Sequence, residues 1–102
     1  MHQAALVPLE EYLTTSYSPD CEYLEGQLLE RKLGERDHSK LQREFLLRLH
    51  APDKSAWAFP EQRVQVKPHR YRVPDLCVVY GPEPVEPVFT EPPFLCVEIL
   101  SR

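Results

Sequence analysis

Apolar and polar positions change period along the chain, and each change marks an element. Leu6, Leu9, Tyr12 and Leu13 recur at helical spacing, so Val7 to Ser16 is predicted as a short amphipathic helix with Pro8 in its first turn. Ser18-Pro19-Asp20 ends it. Cys21 to Lys32 (CEYLEGQLLERK) reads as a β-hairpin turning at Glu25-Gly26, with Tyr23, Leu24, Leu28 and Leu29 as its apolar side chains. Between His38 and His50 the helical period returns. Leu41, Phe45, Leu46 and Leu49 form one stripe, Lys40, Arg43, Glu44 and Arg48 lie toward solvent, and Asp37 stands as N-cap.

Beyond Ala51-Pro52-Asp53 the pattern becomes that of strands. Arg63 to Lys67 alternates strictly, as a half-exposed strand does, and Pro68-His69-Arg70 is a turn. Val73 to Tyr80 and Phe94 to Leu100 are near-continuous apolar runs, predicted as central strands. Between them Gly81 to Pro93 carries five prolines and is expected to be an irregular loop. Helix, hairpin, helix and three consecutive strands predict a single α+β domain over residues 1–102 with a mostly antiparallel sheet.

Each of the two apolar strands contains an acid. Asp75 opens the first, and Glu98 interrupts the second, FLCVEIL. A carboxylate in such a setting costs several kcal/mol unless a cation, hydrogen bonds or a proton compensates it. Consecutive strands pair most economically as a long-loop hairpin. If Val79 pairs with Phe94, Asp75 falls opposite Glu98 and Cys77 opposite Cys96. Opposed side chains lie about 4.5–5.5 Å apart at Cβ, and one residue of slip sends the two acids to opposite faces. Two carboxylates so placed share a proton, share a divalent cation, or pair separately: Asp75 with Arg72 or Arg70, Glu98 with Lys67 or Arg63. Hard oxygen ligands select Mg²⁺, Mn²⁺ or Ca²⁺. A softer zinc site would draw on Cys77 and Cys96, although buried free cysteine is more often a small apolar filler.

Composition narrows the classes. The chain has 102 residues and a formal net charge of −4, which argues mildly against nucleic acid until its distribution is considered. Residues 38–74 carry eight bases and three acids between two acidic flanks. Arg63, Lys67, Arg70 and Arg72 stand in a stretch from Gln62 to Pro74 without an acid, a candidate track for a phosphate backbone. Three scattered cysteines form neither a disulfide framework nor a zinc ribbon. With no signal peptide and no apolar run of membrane length, a cytoplasmic protein is expected.

Val73-Pro74-Asp75, followed after a gap by Val97-Glu98, resembles the PD-(D/E)XK nucleases of the restriction-endonuclease-like fold. The match extends through Glu11-Tyr12-Leu13, the Glu22…Glu25-Gly26 turn, His38-Ser39, Arg70 to Asp75, Phe89-Thr90…Pro92-Pro93 and Val97 to Ser101. Over nearly its whole length the chain is thus similar to the bacterial Uma family of restriction endonucleases. That resemblance implies a metal-dependent DNA endonuclease in which Asp75, Glu98 and the Ile99 carbonyl hold Mg²⁺ or Mn²⁺. It places His38 at the catalytic site, with Glu44 as a helix-borne acid. It also implies a motif lysine where this chain has Leu100, and a further half beyond Arg102. A truncated, catalytically inactive module that binds DNA or a protein partner is the alternative. A strand ending as FLCVEIL leaves an apolar sheet edge, from which a homodimer is expected.

Overall fold

A computed structural model describes residues 5–31 and 36–100. Helix α1 (Leu9–Thr14) is followed by strands β1 (Cys21–Leu24) and β2 (Gln27–Glu30), helix α2 (Arg36–Leu49), and strands β3 (Ala56–Pro60), β4 (Val64–Lys67), β5 (Arg70–Arg72), β6 (Leu76–Tyr80) and β7 (Leu95–Val97). Lys32 of the expected hairpin, and Ser101 and Arg102, lie outside the described residues. Two sheets form where one was expected, in the orders β2-β1-β5-β4 and β3-β6-β7.

Strands β1 and β2 pair from Cys21↔Glu30 to Leu24↔Gln27. Glu25 and Gly26 both take positive φ, the two-residue turn whose twist matches that of flanking strands. At Gly26 a Cβ would stand 3.1 Å from the Leu6 side chain, so this position needs glycine for space as well as for φ. Pairing of Tyr23 with Tyr71 joins β1 to β5.

Around that junction lies the first core cluster: Tyr12, Cys21, Tyr23 and Tyr71. The Tyr12 ring stacks on Tyr23 at 4.8 Å, and the Arg63 guanidinium covers it at 4.2 Å. Its hydroxyl donates to the Cys21 carbonyl at 2.8 Å. Tyr12→Phe keeps the ring and leaves that carbonyl unpaired, so a loss of about 1–3 kcal/mol is expected. A lowered urea midpoint with an unchanged m-value would show it.

The second sheet has a different filling on each face. Ala56, Ala58, Leu76 and Val78 pack under Leu46 and Leu49 of α2, whereas Cys77 packs with Val64 and Phe89 on the opposite face. Phe59 meets Phe89 edge to face at 5.1 Å. Through Phe89 the irregular Gly81–Pro93 loop is tied to β4: Gln65 N–H donates to the Phe89 carbonyl, and Phe89 N–H to that of Arg63.

Several expectations change in position. Helix α1 is shorter than Val7 to Ser16, with Pro8 at its N-cap. Asp37 is inside the first turn of α2 rather than its N-cap, because the helix begins at Arg36. The inward stripe of α2 is rotated: Leu46 and Leu49 pack on the sheet, but Leu41 and Phe45 are 47% and 38% exposed. His38 and Gln42 occupy the N-terminal end of the inward face instead, since they have hydrogen-bond partners there. The run from Val73 to Tyr80 forms a strand only from Leu76. Val73 to Asp75 is the crossing by which the chain leaves the first sheet at Arg72 and enters the second.

Candidate active site

That three-residue crossing fixes the first acid. Asp75 is 3% exposed and has a partner for each carboxylate oxygen. Its Oδ1 accepts from Arg31 Nη2 and lies 3.1 Å from His38 Nε2, and its Oδ2 accepts the Ile99 N–H at 2.6 Å. The Gln42 amide donates to the Asp75 carbonyl at 2.7 Å. His38 and Gln42 are four residues apart and reach the same residue from one face of α2. Burial pushes the Asp75 carboxyl up. The Ile99 N–H, the hydrogen bond and charge of Arg31, and the charge of His38 together outweigh it and hold the group below the usual carboxylate range.

The second acid follows from register. Leu76 pairs with Val97, Cys77 with Cys96 and Val78 with Leu95, the register in which Asp75 and Glu98 continue opposite each other just past the paired residues. Only β6 is central, however. β7 is an edge strand, and Glu98 is exposed rather than sandwiched in a core, because no described strand pairs on its far side. Even so, partial burial of its carboxyl, and then the negative charges of Asp75 and Glu22, push Glu98 above the ordinary glutamate value against the weaker pull of Arg31 and Arg72. Among the described residues Glu98 makes no ion pair.

Glu22 on β1 completes the group. One of its oxygens accepts the Val73 N–H at 2.8 Å and the other faces Arg72 Nε at 3.2 Å, so it anchors the crossing on the side toward Glu98. Three carboxylates (Glu22, Asp75, Glu98), two arginines (Arg31, Arg72) and His38 therefore share one end of the β6–β7 pair.

A family model described as "Putative restriction endonuclease" (Uma2) matches residues 9–102. The chain belongs to this family. A solved structure, titled as a putative nuclease belonging to DUF820 from Anabaena variabilis ATCC 29413, is 27% identical to this chain and superposes with a TM-score of 0.77. The match covers 93% of this chain and 59% of that one, so the chain spans about three fifths of that relative's length. No curated protein matches the sequence.

As a Uma2 chain, this one has an oxygen-rich donor set. Asp75 and Glu98 supply two carboxylates, whereas Ile99 presents its N–H, which is no metal ligand, to Asp75 in place of the expected carbonyl. Mg²⁺ is commonly held by only one or two carboxylates, with waters and substrate oxygens completing its shell. Partial burial raises Glu98 most, and the charges of Asp75 and Glu22 add to it; a divalent cation would offset both, so the two carboxylates fit such an ion. They do not form a closed protein cage: among the described residues no three His, Cys, Asp or Glu side chains are grouped to hold a metal. Cys77 and Cys96 are opposed free thiols without further ligands of that kind.

The separate-pairing candidates differ from those expected. Asp75 pairs with Arg31, not with Arg70 or Arg72, which face Glu25 and Glu22. Arg63 pairs with Asp20 and caps Tyr12, so it is spent on packing rather than on an open basic track. Glu44 faces Arg43 and Arg48 on α2, away from the acids. Arg31, Glu22 and Gln42 are the residues that sequence reasoning missed. Glu22 stood in the turn that helps carry the family resemblance, though with no site role; Gln42 could have been found as the residue one helical turn after His38.

Proposed function

We propose that this chain carries the carboxylate centre of a metal-dependent endonuclease that hydrolyses DNA phosphodiester bonds, with Asp75 and Glu98 as ligands of Mg²⁺ or Mn²⁺. The observation that carries the reading is the carboxyl of Glu98, raised and without an ion pair among the described residues, beside the ionised Asp75 at the ends of two paired strands. Family membership and the likeness to the Anabaena nuclease structure support it. A cation held there supplies Lewis-acid stabilisation of phosphate charge and a more acidic water nucleophile.

The chain's own residues do the rest. The Ile99 N–H, Arg31 and His38 hold Asp75 as an anion in one orientation, and Gln42 pins its backbone to α2. Glu98, raised by partial burial and by the charges of Asp75 and Glu22, would be returned to its anionic form by a bound cation. Lys67, Arg70 and Arg72, on the β4–β5 pair, are the cations we assign to the phosphate backbone. The exposed β7 edge is the surface through which a homodimer would form.

A second reading, a non-catalytic module binding DNA or a protein, is favoured by Arg31 already neutralising Asp75 and by Leu100 at the motif-lysine position. Calorimetric titration of Mn²⁺ and Mg²⁺ separates metal binding from its absence. Binding is expected, weakened about 100-fold or more in Asp75→Asn and in Glu98→Gln, beyond what loss of an outer-shell partner costs. Absence of heat in the parent, with both variants as stable as it is, would leave two structural carboxylates and no metal centre.

A further inference from the structure

Beside Glu98 lies a cavity of about 330 Å³ that the carboxylate chemistry does not use. It opens between the edges of the two sheets. Its apolar lining comes from Val64 and Val66 of β4, Cys96 of β7, and Pro74, Pro92 and Pro93. Only Arg72, Gln65 and Glu98 bring polar groups to it. Its size is at the bottom of the range for small-molecule sites, room for one small ring system and far too little for a duplex.

The lining is specific in kind. Proline rings and valines offer flat apolar surface to a flat heterocycle. The Gln65 amide supplies a hydrogen-bond donor and an acceptor, the complement of a base edge that carries both, with Arg72 and Glu98 as the charged groups beside it. Continuity settles the position, because Glu98 belongs both to this cavity and to the carboxylate pair. A nucleotide whose phosphate shared a cation with the carboxylate pair would have its neighbouring base within reach of the cavity.

We infer that this cavity is a nucleobase subsite, which makes the substrate a single-stranded or locally opened nucleic acid rather than an intact duplex. The inference rests on the nuclease reading and refines it. Enzymes that must reach a base or strand inside a duplex open it or choose single strands, and unpaired bases are held by stacking.

The cavity carries its own reporter. Cys96 is exposed and lines it, while Cys21 and Cys77 are buried. The test measures alkylation of Cys96 by N-ethylmaleimide in the presence of Ca²⁺, with a short single-stranded oligodeoxynucleotide containing one 2-aminopurine, and with its duplex. The single strand is expected to protect Cys96 and to change 2-aminopurine emission, and the duplex to do neither. Val66→Met, which fills the space at a half-exposed edge position without adding a ring, is expected to weaken single-strand binding about tenfold or more, the loss of one stacked base, while Leu47→Met on the exposed face of α2 leaves it unchanged. Equal binding of both forms without protection would overturn the subsite and leave the nuclease reading standing. Metal binding without binding of either nucleic acid would overturn both. Protection that rises with protein concentration alone would assign the cavity to a second copy of the chain and overturn the subsite.

Discussion

Replacing Asp75 with alanine is expected to lower the folding free energy by about 3–5 kcal/mol, the range found when one partner of a buried ion pair is removed. The Arg31 side chain is only 15% exposed, and without Asp75 the one ion-pair partner left to it among the described residues is Glu61, itself open to solvent. The Ile99 N–H would lose its acceptor as well. Asp75→Asn is expected to cost less, because an amide oxygen still accepts one of these bonds. Acid titration gives an independent check. Asp75 has a depressed folded pKa, so its contribution is complete above the ordinary aspartate value and is lost as pH falls through the depressed one. Glu98 has the opposite sign. Its raised pKa contributes stability that is present below the ordinary glutamate value and disappears as pH rises through the raised one. Urea unfolding across acid pH should therefore show the acid-side loss shrink in Asp75→Ala, the remainder coming from groups such as Asp53 that are also held low. In Glu98→Gln the decline on the other side, as pH rises, should vanish instead.

Those opposite signs depend on contacts that differ sharply in how visible they are in a sequence. The β6–β7 register was legible because two apolar runs of similar length, each carrying an acid and a cysteine at matching offsets, align in only one way that puts like beside like. The hairpin was legible from one Glu-Gly turn. Helix α2 was legible as a helix but not in rotation. Leu41 and Phe45 are more apolar than His38 and Gln42, and only the partner offered by Asp75 explains why the polar pair faces inward. Strand β3 was missed because its inward residues are alanines, which give no alternation against Trp57 and Phe59. Three-residue β5 is too short to carry a period. Arg31 lies 44 positions from Asp75, at the end of a strand in the other sheet, and no spacing rule connects them.

Arg31 also provides the sharpest test of whether Asp75 serves a metal or only the fold. Arg31→Met keeps the apolar stem and removes the charge, leaving Asp75 with His38 and the Ile99 N–H. A loss of about 3–5 kcal/mol is expected in EDTA. If a divalent cation uses the same carboxylate, Mn²⁺ at about 100 times its dissociation constant returns about 2.7 kcal/mol. For a domain near this size each kcal/mol is about 4–8 °C in Tm, so recovery in a thermal melt would be large. The parent should gain less from the same Mn²⁺, because there the cation must compete with a guanidinium already on Oδ1. Equal gains in parent and variant would mean that Arg31 and the metal do not share Asp75. A gain confined to the variant would mean that Arg31 occupies the position a cation takes on Asp75.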